Sequence, residues 1–263
     1  MQKHILQLTD FHIFADPESR FFGVPTRNTL NDVLQAVKAM DLDFDYVIIT
    51  GDLTSDEQKN SYQTVKKILG DLISRCKIIP GNHDDRALIR EVFPNCIAGD
   101  GDSINFSVTS CGWRLLGLDT HVPGKLYGLI SSKTLQWLDV TLNKYKNEPT
   151  ILFQHHPPIP VGTNWVDKLA LKNPDPLVDL LSHYPQVQVI SCGHVHQEFH
   201  ENLGNMVVLT TPSTSVQFKH GTDTLVCDDV PPGFRIFTLN GDRWETQVVW
   251  LDKLKYPPIS NQQ

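Results

Sequence analysis

Five short, largely apolar runs in this chain each stop at a side chain able to bind a metal ion, and no other feature constrains the fold as tightly. Val47-Ile48-Ile49-Thr50-Gly51 delivers Asp52, Lys77-Ile78-Ile79-Pro80-Gly81 delivers Asn82 and His83, and Val189-Ile190-Ser191-Cys192-Gly193 delivers His194. Two further runs lack the glycine: Ile5-Leu6-Gln7-Leu8-Thr9 before Asp10, and Ile151-Leu152-Phe153-Gln154 before His155. Runs bounded in this way read as buried strands. A glycine at the strand end admits a tight turn and a close approach of backbone to whatever sits there. In α/β folds, ligands gather beyond the carboxyl ends of the strands. Five strands bringing Asp, His and Asn to one place predict a metal site.

Helical spacing fills the intervals. Thr26–Met40 carries Leu30, Val33, Leu34 and Val37 on one stripe, and Asp56–Arg75 carries Val65, Ile68, Leu69 and Leu72. A short helix is expected over Asp85–Phe93 with Asp84 as its N-cap, and a longer one from a Ser131 cap to Tyr145. Ile104–Val108 and Trp113–Leu118 read as a hairpin around Ser110-Cys111-Gly112, and Asp175–Tyr184 reads as another helix. The end of the chain reads as antiparallel β over Met206–Leu209, Phe234–Leu239 and Trp244–Leu251. Between the first two lies a loop from Thr211 to Gly233, too long for a plain connector. A length of 263 residues admits one large domain or two small ones. The candidate ligands run from Asp10 to His196 with no linker between them, so a single domain over residues 1–263 is expected.

The formal charge of −7 argues against a nucleic-acid binder or a protein that sits on anionic membranes. The five cysteines include no CxxC pair, so free thiols in a reducing compartment are expected. Met1-Gln2-Lys3-His4-Ile5 contains no apolar signal region, and no stretch approaches 18 apolar residues. The expected location is cytoplasmic.

Asp10-Phe11-His12 and His194-Val195-His196 are i, i+2 pairs, whose side chains face one way in an extended segment. With Asp52, Asn82 and His155 they supply seven oxygen and nitrogen donors and no thiolate. Such a set suits Fe, Mn, Zn or Co better than Ca or Cu(I). Seven donors exceed what one such ion takes while leaving room for solvent. Two divalent ions about 3.5–4 Å apart, sharing a carboxylate, fit the count.

The motifs D-x-H, GD, GNHD, HHPP and GHxH, in this order from Asp10 to His196, resemble those of the calcineurin-like metallophosphoesterases. The resemblance implies an α/β fold of two mixed β-sheets packed face to face with flanking helices, an α/β/β/α sandwich. It implies that Asp10, His12 and His196 hold one ion, that Asn82, His155 and His194 hold the other, and that Asp52 bridges them. His83 would approach the substrate phosphate without ligating, and the substrate would meet His12, Asp52, Asn82, His83 and His196. His156 is left behind the ligands or at the surface. One position departs from the pattern. Ser55 stands three residues after Asp52, where the protein-phosphatase branch has an Asp that orients the catalytic His, and Asp56 comes one later. His83 is thereby left without an assigned orienting partner.

A narrower similarity, to the bacterial class III cyclic-nucleotide phosphodiesterases, rests on Gly23-Val24-Pro25-Thr26, Trp165 through Asp167 to Asn173, Gly193 to Glu198 and Thr211 to Lys219. It implies hydrolysis of 3′,5′-cyclic AMP to 5′-AMP, lowering cyclic AMP signalling. The nucleophile would be a metal-bound hydroxide attacking in line, with Asp52 and His83 as catalytic residues. His83 would stabilise the phosphoryl oxygens or protonate the leaving 3′-oxygen. A dinuclear core with net charge of about +1 suits a diester monoanion. Fe or Mn is the expected metal, with Zn or Co as alternatives. The expected partner is a small molecule, cyclic AMP, with no nucleic acid and no membrane; oligomeric state is left unspecified. Two other readings compete. One is the same chemistry on a 2′,3′-cyclic nucleotide or a glycerophosphodiester. The other is an interaction module that keeps the fold without turnover, against which the intact seven-donor set speaks. Trp165 and Phe218, in the two long loops after His155 and after 206–209, are aromatics that could stack on a base, loop packing being the alternative.

Overall fold

The computed structural model describes residues 2–98 and 101–259, so residues 1, 99, 100 and 260–263 of the expected 1–263 unit lie outside the described residues. The chain runs β1 (Lys3–Leu8), α1 (Thr26–Ala39), β2 (Phe44–Ile49), α2 (Lys59–Leu69), β3 (Cys76–Ile78), α3 (Arg86–Val92), β4 (Phe106–Ser110) and β5 (Trp113–Leu118). It continues through α4 (Ser132–Lys144), β6 (Thr150–Gln154), α5 (Asn164–Asp167), α6 (Pro174–Ser182), β7 (Val187–Cys192), β8 (Phe199–Leu203) and β9 (Met206–Thr210). The last elements are β10 (Gln217–Phe218), β11 (Cys227–Asp228), β12 (Gly233–Asn240) and β13 (Arg243–Trp250).

One sheet has the order β13-β12-β1-β2-β3 and the other β4-β5-β6-β7-β9-β8. Each mixes parallel and antiparallel pairs. The two sheets share an inner core. Ile5, Ile48, Phe237 and Leu239 of the first meet Leu115, Ile151, Phe153 and Val189 of the second, all of them buried. The outer face of the first sheet (Leu6, Leu8, Val47, Ile49) is covered by Leu30 and Val33 of α1, Val65 of α2 and Ile89 of α3. That of the second (Leu116, Leu152, Ile190) is covered by Leu138 and Leu142 of α4 and Leu177 and Leu181 of α6. Because both faces of the central strands are buried, those strands read as continuous apolar runs and not as alternating ones. This is the expected α/β/β/α sandwich.

Besides shifts of one or two residues at element ends, such as β4 at Phe106–Ser110 (expected over 104–108) and α6 at Pro174–Ser182 (expected over 175–184), three features differ from expectation. The helix expected over 56–75 starts at Lys59 and gives way at Gly70 (φ 53°) to a 3-10 turn, Gly70–Arg75. Asp56 is held ahead of the helix, its carboxylate accepting from the amides of Ala15 (2.7 Å) and Gln58 (3.2 Å). α3 is capped by Asp85, whose carboxylate accepts from the Leu88 amide at 2.8 Å, and not by Asp84. At the end of the chain, β12 and β13 pair antiparallel, but 206–210 joins the other sheet, parallel to β7 and antiparallel to β8. No helix among the described residues is long and apolar enough to cross a membrane.

Candidate metal centre and active site

The parallel strands of both sheets point their carboxyl ends at one rim. β1, β2 and β3 lead to Asp10, Asp52 and Asn82, while β6 and β7 lead to His155 and His194. All seven sequence-predicted donors arrive there and are buried, none more than 9% exposed, with His83 half-buried beside them. Asp10, His12, Asp52, His194 and His196 sit in the left-handed backbone region, with φ between 51° and 70°. Residues with a Cβ adopt it at a cost of about 1–2 kcal/mol each. Local bonds hold them there: the Asp10 amide donates to Gly51 O and the His12 amide to Asp52 O, both at 3.0 Å. The strand-end glycines leave no room for a side chain. A Cβ on Gly81 would lie 2.3 Å from the Asp52 amide nitrogen, and one on Gly193 would lie 2.1 Å from Thr9 Oγ1.

The ring tautomers follow from what each second nitrogen touches. His196 Nδ1 lies 2.6 Å from Val216 O and His155 Nδ1 lies 2.7 Å from Thr50 O. A carbonyl only accepts, so both Nδ1 atoms carry a proton and a neutral ring turns its Nε2 lone pair to the centre. His196 Nε2 is 3.1 Å from His12 Nε2 and 3.3 Å from Asp10 Oδ1. His155 Nε2 is 3.1 Å from Asn82 Oδ1 and 3.4 Å from Asp52 Oδ2. Asp52 Oδ2 is also 3.7 Å from His12 Nε2, which puts this carboxylate between the two groups. His194 Nε2 is buried and has no hydrogen-bond partner among the described residues. Acceptors aimed at one another need a proton or a metal ion between them.

Protons meet that need only in part. Burial acts to raise both carboxyls, but His196 outweighs it at Asp10, which lies below its usual range, and His155 and His83 outweigh it at Asp52, which lies well below. Burial pushes His12 well down, and burial with His155 pushes His194 down to about 3, so both rings stay neutral. His155 goes up, to about 9, where the Asp52 carboxylate overcomes the opposing effect of burial. The proton on His155 does not reach the neutral His194, whereas divalent cations could engage every one of these atoms. Asp10, His12 and His196 form one group whose ligand atoms lie within 4.8 Å of one another, and Asp10, Asp52 and His155 form another.

The roles of several supporting residues were not visible in the sequence. Asp84 is fully buried and accepts from the amides of Gly81 (2.9 Å) and Leu53 (3.1 Å) and from the Tyr62 hydroxyl (3.2 Å), tying the turns after β2 and β3 together. Ser55 meets His12 Nδ1 at 3.1 Å and does not orient His83. His83 is placed by its main chain: its amide donates to Asp52 Oδ1 (2.8 Å) and its carbonyl accepts from Thr54 Oγ1 (3.2 Å). Its ring stands edge-on to His12, centroids 5.3 Å apart. Ser213 and Ser215 both donate to the Asp10 carbonyl, at 2.8 and 3.0 Å. Together with the Val216 carbonyl on His196, they make 213–216 a buckle beneath the centre. β5 also ends at this rim, in Asp119-Thr120-His121, a sixth strand end of the same kind. Asp119 is bound by both Arg86 Nε (2.6 Å) and Nη2 (2.8 Å), which joins the start of α3 to the second sheet.

The donors open onto a cavity of about 220 Å³. His12, Asp52, Asn82, His83, His194 and His196 form one side of its lining, and the remainder is apolar, including Leu126, Trp165, Phe218 and Leu225.

Sheet order, strand-end donors and spacing together define a metallophosphoesterase fold and site, and the family model for calcineurin-like phosphoesterases matches residues 3–198, which contain all seven donors and His83. The chain belongs to that family. It is 31% identical over 254 residues to the 3′,5′-cyclic adenosine monophosphate phosphodiesterase CpdA of Pseudomonas aeruginosa, covering 96% of this chain and 91% of the relative. It is 28% identical over 246 residues to the glycerophosphodiester phosphodiesterase GpdQ of Enterobacter lignolyticus, covering 91% and 88%. Among solved structures, a dimetal phosphatase from Danio rerio matches with a TM-score of 0.68 at 14% identity, over 94% of this chain and 98% of that one. At that identity the likeness concerns the fold alone.

Proposed function

We propose that this chain is a metal-dependent cyclic-nucleotide phosphodiesterase that hydrolyses 3′,5′-cyclic AMP to 5′-AMP at a dinuclear centre, in the cytoplasm. One observation carries the metal chemistry: two sets of buried acceptors converge with Asp52 Oδ2 between them, and His194 Nε2 has no hydrogen-bond partner among the described residues. Asp10, His12 and His196 are assigned to one ion, Asn82, His155 and His194 to the other, and Asp52 to both. The substrate preference rests on similarity over nearly the whole chain to a relative that bears the name of a cyclic AMP phosphodiesterase.

Bound divalent ions supply Lewis acidity toward phosphoryl oxygens and lower the pKa of water from 15.7 toward about 7. The chain's own residues do the rest. Asp52 Oδ1 is tied to the His83 amide, which keeps Oδ2 turned to the centre. The Thr50 and Val216 carbonyls fix the tautomers of His155 and His196, so that both present Nε2. The His83 ring lines the cavity and makes no ring hydrogen bond among the described residues, which leaves it available to a phosphoryl oxygen or to the departing 3′-oxygen.

A second reading, hydrolysis of a glycerophosphodiester, is supported by the similarity to a relative of that name. A panel of cyclic AMP, 2′,3′-cyclic AMP and glycerophosphocholine, assayed with the Mn-loaded enzyme, separates the two. Highest kcat/KM on cyclic AMP is expected. A larger value on glycerophosphocholine would overturn the cyclic-nucleotide reading.

A further inference from the structure

Two of the four aromatic residues of the cavity lie flat on candidate metal ligands, and the other two, Phe22 and Trp165, stand edge-on against those two. Phe21 stacks on the His12 ring (centroids 4.0 Å, planes 9° apart) and Phe218 on the His196 ring (4.3 Å, 15°). Phe218 is only 5% exposed, and Trp165 stands edge-on against it at 5.1 Å with its indole nitrogen buried. Phe21, Phe22 and Trp165 are half-buried, whereas the most exposed lining residues are aliphatic: Leu126, 47% exposed, and Leu225, 39% exposed. They come from two separate loops. An exposed leucine on the lip of a polar site is where an apolar ligand group gains burial.

The loop that carries Leu126 is pinned by His156, the second histidine of the His155-His156 pair. This ring is wholly buried. Its Nε2 lies 3.2 Å from Leu126 O and therefore carries the proton, and its Nδ1 accepts from the Thr120 hydroxyl at 2.8 Å. Both nitrogens are spent on one loop, so neither is left for a metal ion. Gly128 folds directly over the ring, where a Cβ would come within 2.4 Å of Nδ1. The same glycine is stitched to the neighbouring wall, the Lys172 amide donating to its carbonyl at 2.9 Å.

We propose that Leu126 and Leu225 are the specificity-determining contacts for the organic group of the diester, and that His156 is a positioning residue that sets where Leu126 stands. This rests on the cyclic-nucleotide reading, in which that group is the nucleoside. The base is then held between aliphatic lips, and Phe21 and Phe218 behind them back the imidazoles. Burying the exposed half of a leucine side chain is worth about 3- to 12-fold in binding.

The test is steady-state kinetics on Mn-loaded enzyme with cyclic AMP, for wild type, Leu126→Ser, Leu225→Ser, His156→Ala, His156→Gln and the double variant His156→Ala/Leu126→Ser, with metal content measured on each. Wild-type turnover of cyclic AMP checks the underlying reading separately. Each leucine variant is expected to raise KM about 3- to 12-fold with kcat little changed. His156→Ala is expected to raise KM similarly, the double variant to be no worse than His156→Ala alone, and His156→Gln, which keeps a donor toward Leu126 O, to recover part of the loss. If His156→Ala does not fold, Thr120→Val with and without Leu126→Ser reads the same coupling. Unchanged KM in both leucine variants, while wild type turns over cyclic AMP, would overturn the lips. Fully additive effects of the His156 or Thr120 change and Leu126→Ser would overturn the positioning role.

Discussion

Ser213 and Ser215 sit under the metal centre, and removing their hydroxyls tests whether segment 213–216 serves the metals or the substrate. Both hydroxyls donate to the carbonyl of Asp10, a residue held at φ 57°. In Ser213→Ala/Ser215→Ala two neutral hydrogen bonds of about 1 kcal/mol each disappear, and a buried carbonyl left without donors adds about 1–3 kcal/mol to the loss. A total of about 3–5 kcal/mol corresponds to a drop in Tm of roughly 6–20 °C for a chain of this size. Asp10 then relaxes, and metal affinity is expected to fall by about 10- to 100-fold, as when groups that orient ligands are removed. Thermal melts, elemental analysis after dialysis, and kinetics on cyclic AMP and bis-p-nitrophenyl phosphate would read all three effects. Both substrates are expected to lose turnover together, and added Mn to restore it. Loss confined to cyclic AMP, with metal content and Tm unchanged, would refute the reasoning and make the segment a substrate wall.

His83→Ala should lower turnover by about 10²- to 10⁴-fold while metal content stays at the wild-type level; unchanged turnover would mean that the ring only packs beside the site. In metal-free protein His155 is raised from 6.5 to about 9, the Asp52 carboxylate outweighing burial. The stabilisation from its charge is therefore full below pH 6.5 and lost as pH rises through about 9. A metal ion must displace that proton, so affinity for Mn should climb with pH across this window, with proton release in calorimetry, and a flat profile would contradict the assignment. Gly81→Ala would drive a Cβ to 2.3 Å from the Asp52 amide nitrogen. About 1–3 kcal/mol of stability should be lost together with metal binding; a variant with wild-type melting and occupancy would show that the turn has slack.

The donors were legible because each sits at a strand end, where an apolar run meets a polar residue or a glycine and the pattern survives in one dimension. The packing of one sheet on the other was implied by the family resemblance; the runs themselves told only that the strands are buried, since strands buried on both faces do not alternate. What escaped depends on partners distant in the chain. Ser213 and Ser215 read as ordinary loop residues, and only the fold brings them to Asp10. Trp165 and Phe218 look like base platforms when counted as aromatics in a loop, yet Phe218 is occupied by His196. Asp84 and Asp85 are adjacent acids, either of which could cap α3; burial of Asp84 against Leu53 and Gly81 decides between them. Asp119-Thr120-His121 had the same strand-end form as the ligand runs and could have been found by that signal. The register of Leu118 against Gln154 sets it beside His155-His156. The pairing of 206–210 with β7 was not readable, because an apolar strand carries no mark of which sheet it joins.

The most direct test of a dinuclear centre is a titration of metal-stripped protein with Mn, following cyclic AMP hydrolysis against ions bound per chain. Activity is expected to be absent at zero equivalents and to reach its plateau near two. Asp52→Ala is expected to bind less than one ion and stay inactive across the same range. Full turnover before any metal is added, or two ions held at wild-type occupancy by Asp52→Ala, would contradict it.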